Sequence, residues 1–227
     1  MNPHLLYGQA IPGICSGRGI GIIDTLHLVE VPIAIDALRN SPALTPEIFR
    51  GLQQWFTDYL TWMCSHRYGI EEMNAHNNHS VCWYVQAAIY ALFTLNTDMI
   101  DYCRNQFKKE LLPNQMAING SFPLELSRTK PYGYSIFILD NMTTLCHVLS
   151  TPEDDWWNFT LADGRGIRKG IEFLYPYLED KSSWPYSPDV EHDDGWPTQV
   201  SCLLFAGIAF ENPNLIELWD SLDPDPL

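Results

Sequence analysis

Positive charge is scarce in this sequence. Its 13 Lys and Arg face 28 Asp and Glu over 227 residues, a formal charge of −15. The longest basic cluster is Lys108-Lys109, so the basic patch or stripe of a nucleic-acid binder is missing. An acidic surface repels distant polyanions, but within a Debye length of about 8–10 Å the local groups decide. An anionic small ligand or polymer is therefore still admitted. No apolar run approaches the roughly 20 residues of a membrane helix, so no membrane partner is expected. The opening MNPHLLYGQAIPG has no basic stretch followed by an apolar core and reads without a signal peptide. Cys15, Cys64, Cys82, Cys103, Cys146 and Cys202 are scattered with no CxxC pair, which excludes a zinc ribbon or a thioredoxin-like motif. Most of them lie in apolar runs, where a buried free thiol is the expected state. Strand alternation is weak, and neither low-complexity tracts nor exact repeats occur.

Apolar residues make up 46% of the chain and aromatics 13%, enough for a substantial core. Helical periodicity recurs throughout. GIGIIDTLHLVEVPIAIDALRN carries it despite Pro32, which should kink or divide the segment. TPEIFRGLQQWFTDYLTWMCSH opens on Thr45 as N-cap, Pro46 at the first helical position and Glu47 in the first turn. Its apolar Phe49, Leu52, Phe56, Leu60 and Met63 recur at three- and four-residue steps. TDMIDYCRNQFKKELL follows, with Thr97 as cap and Pro113 beyond its end. Later helices are expected in GYSIFILDNMTTLCHVLS, GIRKGIEFLYPYLED, PTQVSCLLFAGIAF and NPNLIELWDSL, and 181–197 reads as a long loop. Short links between successive helices predict antiparallel hairpins, hence one all-α domain over 1–227.

Two polar stretches interrupt this pattern. In NAHNNHSVCW, residues 74–83, asparagines and histidines crowd the mouth of a helix expected over 80–96. His76, His79, Trp83 and Gln86 would share one face, and Val81, Val85, Ala88 and Leu92 another that suits the core. One asparagine suffices as a cap. His76 and His79 alone, without a carboxylate partner, do not make a metal site. In NGSFPLELSRTKPYGYSIF, residues 119–137, Arg128 and Lys130 stand out in a chain poor in cations, followed by Tyr132 and Tyr134 with Gly133 loosening the backbone between them. A plain reading pairs Arg128 with Glu125 and packs the tyrosines.

NNHS before one helix and GSFPLELSRTKPYGYS before another resemble the alginate lyase-type superfamily of polysaccharide lyases. The likeness is nearest the group around polysaccharide lyase family 38 and more distant to family 5. NPHLLYGQAIPG, GRGIGIIDT and DGRGIRKG add to it, so it runs along essentially the whole chain. The resemblance implies an (α/α) toroid or barrel of stacked hairpins, here incomplete because family members carry further helices before NPHLLYGQAIPG. It implies β-elimination on a uronic-acid polysaccharide such as alginate or glucuronan, no cofactor, and usually export to the periplasm or medium. Asn78, His79, Arg128 and Tyr134 fall on its catalytic positions. The step from Arg128 to Tyr134 fits the family 38 pattern, since that of family 5 is one residue longer.

Those residue types suit the reaction. β-Elimination removes the C5 proton beside the uronate carboxylate and expels the C4 oxygen. Asn78 and Arg128 can hydrogen-bond the carboxylate as charge develops on it, and losing one such donor costs about 3–4 kcal/mol. An imidazole, with a reference pKa of about 6.5, serves as base at His79, and the phenol of Tyr134 as acid. If proton and leaving group share a face of the sugar, Tyr134 can serve as both; the sequence leaves the two arrangements open. His4, Arg18, Asn77, Lys130 and Tyr132 are candidates to hold neighbouring uronates, Trp83 to stack on a sugar ring, and Trp184 and Trp196 to line a cleft. Two other readings stand beside the lyase: a non-catalytic carbohydrate-binding remnant, and a glycoside hydrolase using Asp193 or Asp194, which would need a second acid roughly 5–9.5 Å away.

Overall fold

In the computed structural model the described residues are 8–224, so His4 lies outside them. They are helical, and among them β-structure is limited to the isolated bridges Ile11–Cys15, Thr151–Asp154 and Thr198–Asp223. The all-α expectation holds. The chain divides into two compact units, one of Met1–Ala75 with His79–Asn105 and one of His76–Asn78 with Gln106–Leu227.

The first unit begins with a 3-10 segment, Gly19–Val29, continued by α1 (Glu30–Ala37). Pro32 thus sits in the first turn of α1, where a missing N–H costs little, and the segment divides just before it. α2 (Pro46–Ser65) starts as the sequence predicts, with the Thr45 hydroxyl accepting from the Ile48 N–H. Its Phe56, Tyr59, Leu60 and Met63 are buried. α3 (Arg67–Met73) follows, then α4 (Asn78–Thr94) and α5 (Thr97–Gln106). The cap of α5 is Asn96, whose side-chain oxygen accepts from the Met99 N–H, one residue before the expected Thr97.

α4 departs from its expected two-faced character. Trp83 and Gln86, assigned to a polar-aromatic face, are as buried as Val81, Val85 and Ala88, whereas Leu92 is exposed. The helix is apolar nearly all round, the signature of an element enclosed on every side rather than along one stripe. Gln86 is kept inside by hydrogen bonds: its carbonyl accepts from Thr25 at 2.7 Å and its amide donates to the Ile22 carbonyl at 3.2 Å.

In the second unit a π-type turn, Phe107–Leu111, leads into α6 (Leu112–Gln115), so Pro113 lies within this last helical turn and not beyond it. The short α7 (Pro123–Leu126) precedes the central α8 (Pro131–Leu149), which packs against α7, α9 (Ile167–Glu179) and α10 (Ser201–Ala209). α11 (Pro213–Ser221), capped by Asn212, packs on α10. Gly120 turns the chain ahead of α7 with φ +89°, and any side chain there would collide with the Lys169 carbonyl.

The loop 181–197 is tied to the start of α8. The Asp189 carboxylate accepts from the backbone N–H groups of Tyr132 and Gly133, both at 2.9 Å. Val190 N–H donates to the Thr129 carbonyl, and Lys130 pairs with Glu191 at 2.9 Å. A Cβ on Gly133 would sit 2.8 Å from the Asp189 carboxylate. Gly133 therefore admits this cap, and it does so inside a helix rather than by loosening a link between two tyrosines.

Candidate active site

Three of the predicted catalytic residues lie in the second unit. Asn78 opens α4 and is fully buried. Its backbone N–H donates to one oxygen of Glu125 at 2.7 Å and its side-chain Nδ2 to the other at 2.8 Å. Glu125 is itself fully buried, on α7. A carboxylate at the first N–H of a helix also meets the positive end of the helix dipole. The Asn78 side-chain carbonyl is buried with no hydrogen-bond partner. Three residues after Glu125, the Arg128 guanidinium comes within 4.0 Å of the same carboxylate and remains one-third exposed. The guanidinium carbon stands 4.1 Å from the centroid of the Tyr134 ring. Tyr134 is half-buried, in the first turns of α8, which Asp189 caps. Asn78, Glu125, Arg128 and Tyr134 thus form one connected cluster in which the exposed donor is arginine and the buried one is the amide.

His79, the next residue in the chain, belongs to the first unit. Its Nδ1 lies 2.7 Å from Glu72 on α3. Glu72 is 1% exposed and the imidazole side chain 14%. Burial raises the Glu72 carboxyl above the usual carboxylate range, and the hydrogen bond and charge of His79 act against this. Glu71 and Asp24 push it further up. Neither Glu72 nor its role was visible in the sequence. Glu125 was named only as a routine ion-pair partner, through its spacing to Arg128.

The proposed sugar-holding residues fare differently. Arg18 is exposed, anchored on Gln9 through its Nε and Nη2 at 3.1 and 3.3 Å. It lines a cavity of about 360 Å³ with Gly17, Ile20, Arg67, Tyr68 and Glu71. Asn77 is half-buried in the second unit. Lys130 is committed to Glu191, whose carboxyl it holds below the usual range. Tyr132 and Trp83 are corrections: both have no exposed surface. The Tyr132 hydroxyl donates to the Tyr177 carbonyl at 2.8 Å, and its ring packs on Trp184. Burial raises its phenol, helped by Asp193 and Asp189. Trp83 packs edge-on against Tyr84, and its buried indole N–H has no acceptor. Both are core residues, because they lie on covered faces of the helices that carry them. Trp184 packs among Tyr132, Phe173, Tyr177 and Tyr186. Asp193 is held low by the Asp189 N–H and Lys181, the opposite of the raised carboxyl that a glycosidase acid needs. Among the described residues no cluster of three His, Cys, Asp or Glu suits a metal ion.

The alginate lyase family model matches residues 1–184. The chain is similar to an alginate lyase from Bacteroides ovatus known from its crystal structure, with 36% identity and a TM-score of 0.90. That likeness covers 100% of this chain and 60% of the other, so the chain spans less than two thirds of that protein. It is similar in fold to a histidine-to-alanine variant of alginate lyase A1-III complexed with tetrasaccharide, with a TM-score of 0.63 and 12% identity over 82% of this chain and 54% of that one. No curated protein sequence matches. The helical architecture and both likenesses are consistent with an (α/α) toroid. By its sequence and its fold, the chain belongs to the alginate lyase family.

Proposed function

We propose that this chain is a polysaccharide lyase that cleaves a uronic-acid polymer, alginate, glucuronan or a close relative, by β-elimination. The observation that carries the reading is the Glu125-centred cluster, which holds Asn78 and Arg128 on one carboxylate with Tyr134 against the guanidinium. Arg128, partly exposed, meets the uronate carboxylate and offsets the charge that grows as the C5 proton leaves. Asn78, buried on the same carboxylate with its side-chain carbonyl unpartnered, is the second donor that the family pattern assigns to the uronate. Peptide-bonded to Asn78, His79 accepts the C5 proton when proton and leaving group lie on opposite faces. Tyr134 protonates the C4 oxygen as the C4–O bond breaks and the C4=C5 double bond forms. When both groups share a face, Tyr134 takes the C5 proton as tyrosinate and returns it to the leaving oxygen. Asn77, in the same unit as the cluster, holds a neighbouring uronate.

The test is a panel of polyuronates with wild type and Tyr134→Phe, read by the ultraviolet absorbance of the unsaturated uronate product. Wild type should form product on at least one polymer. Tyr134→Phe should lose about 10²–10⁴-fold in kcat, the usual contribution of a positioned acid or base. Binding of polyuronate without product would favour a non-catalytic carbohydrate-binding protein of the same fold.

A further inference from the structure

We infer that Glu72 is a positioning residue for His79: its carboxylate accepts the Nδ1 proton, so that Nε2 carries the lone pair that takes up the substrate proton. The inference rests on the lyase reading, in the arrangement where His79 is the base.

Three observations carry it. The contact is short, 2.7 Å between Glu72 Oε1 and His79 Nδ1, and joins residues on separate helices. Glu72 is 1% exposed, its Oε1 is engaged by the imidazole, and its other oxygen is buried with no hydrogen-bond partner. A buried carboxylate with half of its hydrogen-bonding capacity unmet is costly, and packing alone would be served better by an apolar side chain. Finally, a neutral imidazole has one donor nitrogen and one acceptor nitrogen, and the partner of one fixes the role of the other. An ionised Glu72 can only accept. It therefore selects the Nδ1–H form, and Nε2 is left as the acceptor. When Nε2 takes the C5 proton, the ring becomes an imidazolium whose charge the adjacent carboxylate offsets, and the proton then passes to solvent. A protonated Glu72 would do the reverse, donating to Nδ1 and turning Nε2 into a donor unable to act as base. Burial pushes the Glu72 carboxyl toward that form and the His79 contact opposes it.

The experiment pairs a spectroscopic readout with kinetics. Nitrogen-15 shifts of the His79 ring are recorded at neutral pH and assigned by the signal lost in His79→Gln. In wild type, Nδ1 should give the shift of a protonated ring nitrogen and Nε2 that of an unprotonated one. Glu72→Gln, nearly the same shape, presents either a carbonyl or an amide to Nδ1 and should show both tautomers. On a polymer that wild type cleaves, Glu72→Gln should lower kcat about 10²-fold with KM within about twofold, a fraction of what a general base supplies. A wild-type ring protonated on Nε2 overturns the inference, as does a Glu72→Gln variant with unchanged tautomer and kcat. The wild-type spectrum alone decides the matter if Glu72→Gln does not fold. A ring protonated on Nδ1 in a protein that cleaves no polyuronate sinks the lyase reading and leaves Glu72's hold on the ring intact.

Discussion

Removing the Glu125 carboxylate tests the cluster most directly. In Glu125→Ala the Asn78 backbone N–H and its Nδ2 lose their acceptors, which now stand at 2.7 and 2.8 Å, inside a site without solvent exposure. Each buried donor left unsatisfied costs about 1–3 kcal/mol. Losing the buried charge returns part of that, because a desolvated carboxylate is itself expensive. A net loss of about 2–4 kcal/mol follows. For a chain of this size that corresponds to a fall in Tm of about 5–15 °C, at roughly 2–4 °C per kcal/mol. Glu125→Gln separates stability from chemistry. With Asn78 as it stands, the new amide would oppose Nδ2 donor to donor. If the Asn78 carboxamide turns over, its unpartnered carbonyl accepts from the new amide and the backbone N–H keeps its acceptor. The expected result is a melt within about 1–2 kcal/mol of wild type but activity as low as that of Asn78→Ala, since the carboxamide now faces the wrong way. Circular-dichroism melts and the unsaturated-product assay read the two effects separately. A Glu125→Ala melting curve that overlays wild type, or a fully active Glu125→Gln, would refute the clamp.

Two further outcomes follow from the structure. Asp189→Ala removes the acceptor for two N–H groups at the start of α8; melts should show a loss of about 1–3 kcal/mol. Activity should fall as well, because Tyr134 sits in that first part of the helix. Burial pushes the Cys64 thiol up to about 11. Since the thiolate is the reactive form, alkylation of native protein at Cys64, followed by peptide mass spectrometry, should be slow at pH 8 and rise steadily toward pH 11.

Local signals were readable wherever the chemistry was local. The Pro46 start of α2 and its Thr45 cap depend on a few consecutive residues, and the structure reproduces them. Pro32 divides its segment as expected, whereas Pro113 was misjudged in position, because a first helical turn tolerates proline and either side of it can be the boundary. Gly133 was misread for another reason: the group it makes room for, Asp189, lies 56 residues away in the chain.

The sequence by itself determined that the chain is helical, that it is anionic, and which two polar segments resemble those of a lyase. Helical periodicity, charge balance and motif order are properties of neighbouring residues, so they survive without coordinates. Only the tertiary structure decided who partners whom. Asn78 meets Glu125 across 47 residues and His79 meets Glu72 across seven, while Trp83 and Tyr132 withdraw into the core. Burial and long-range hydrogen bonding depend on which helices come to cover a given face, and no spacing along the chain encodes that.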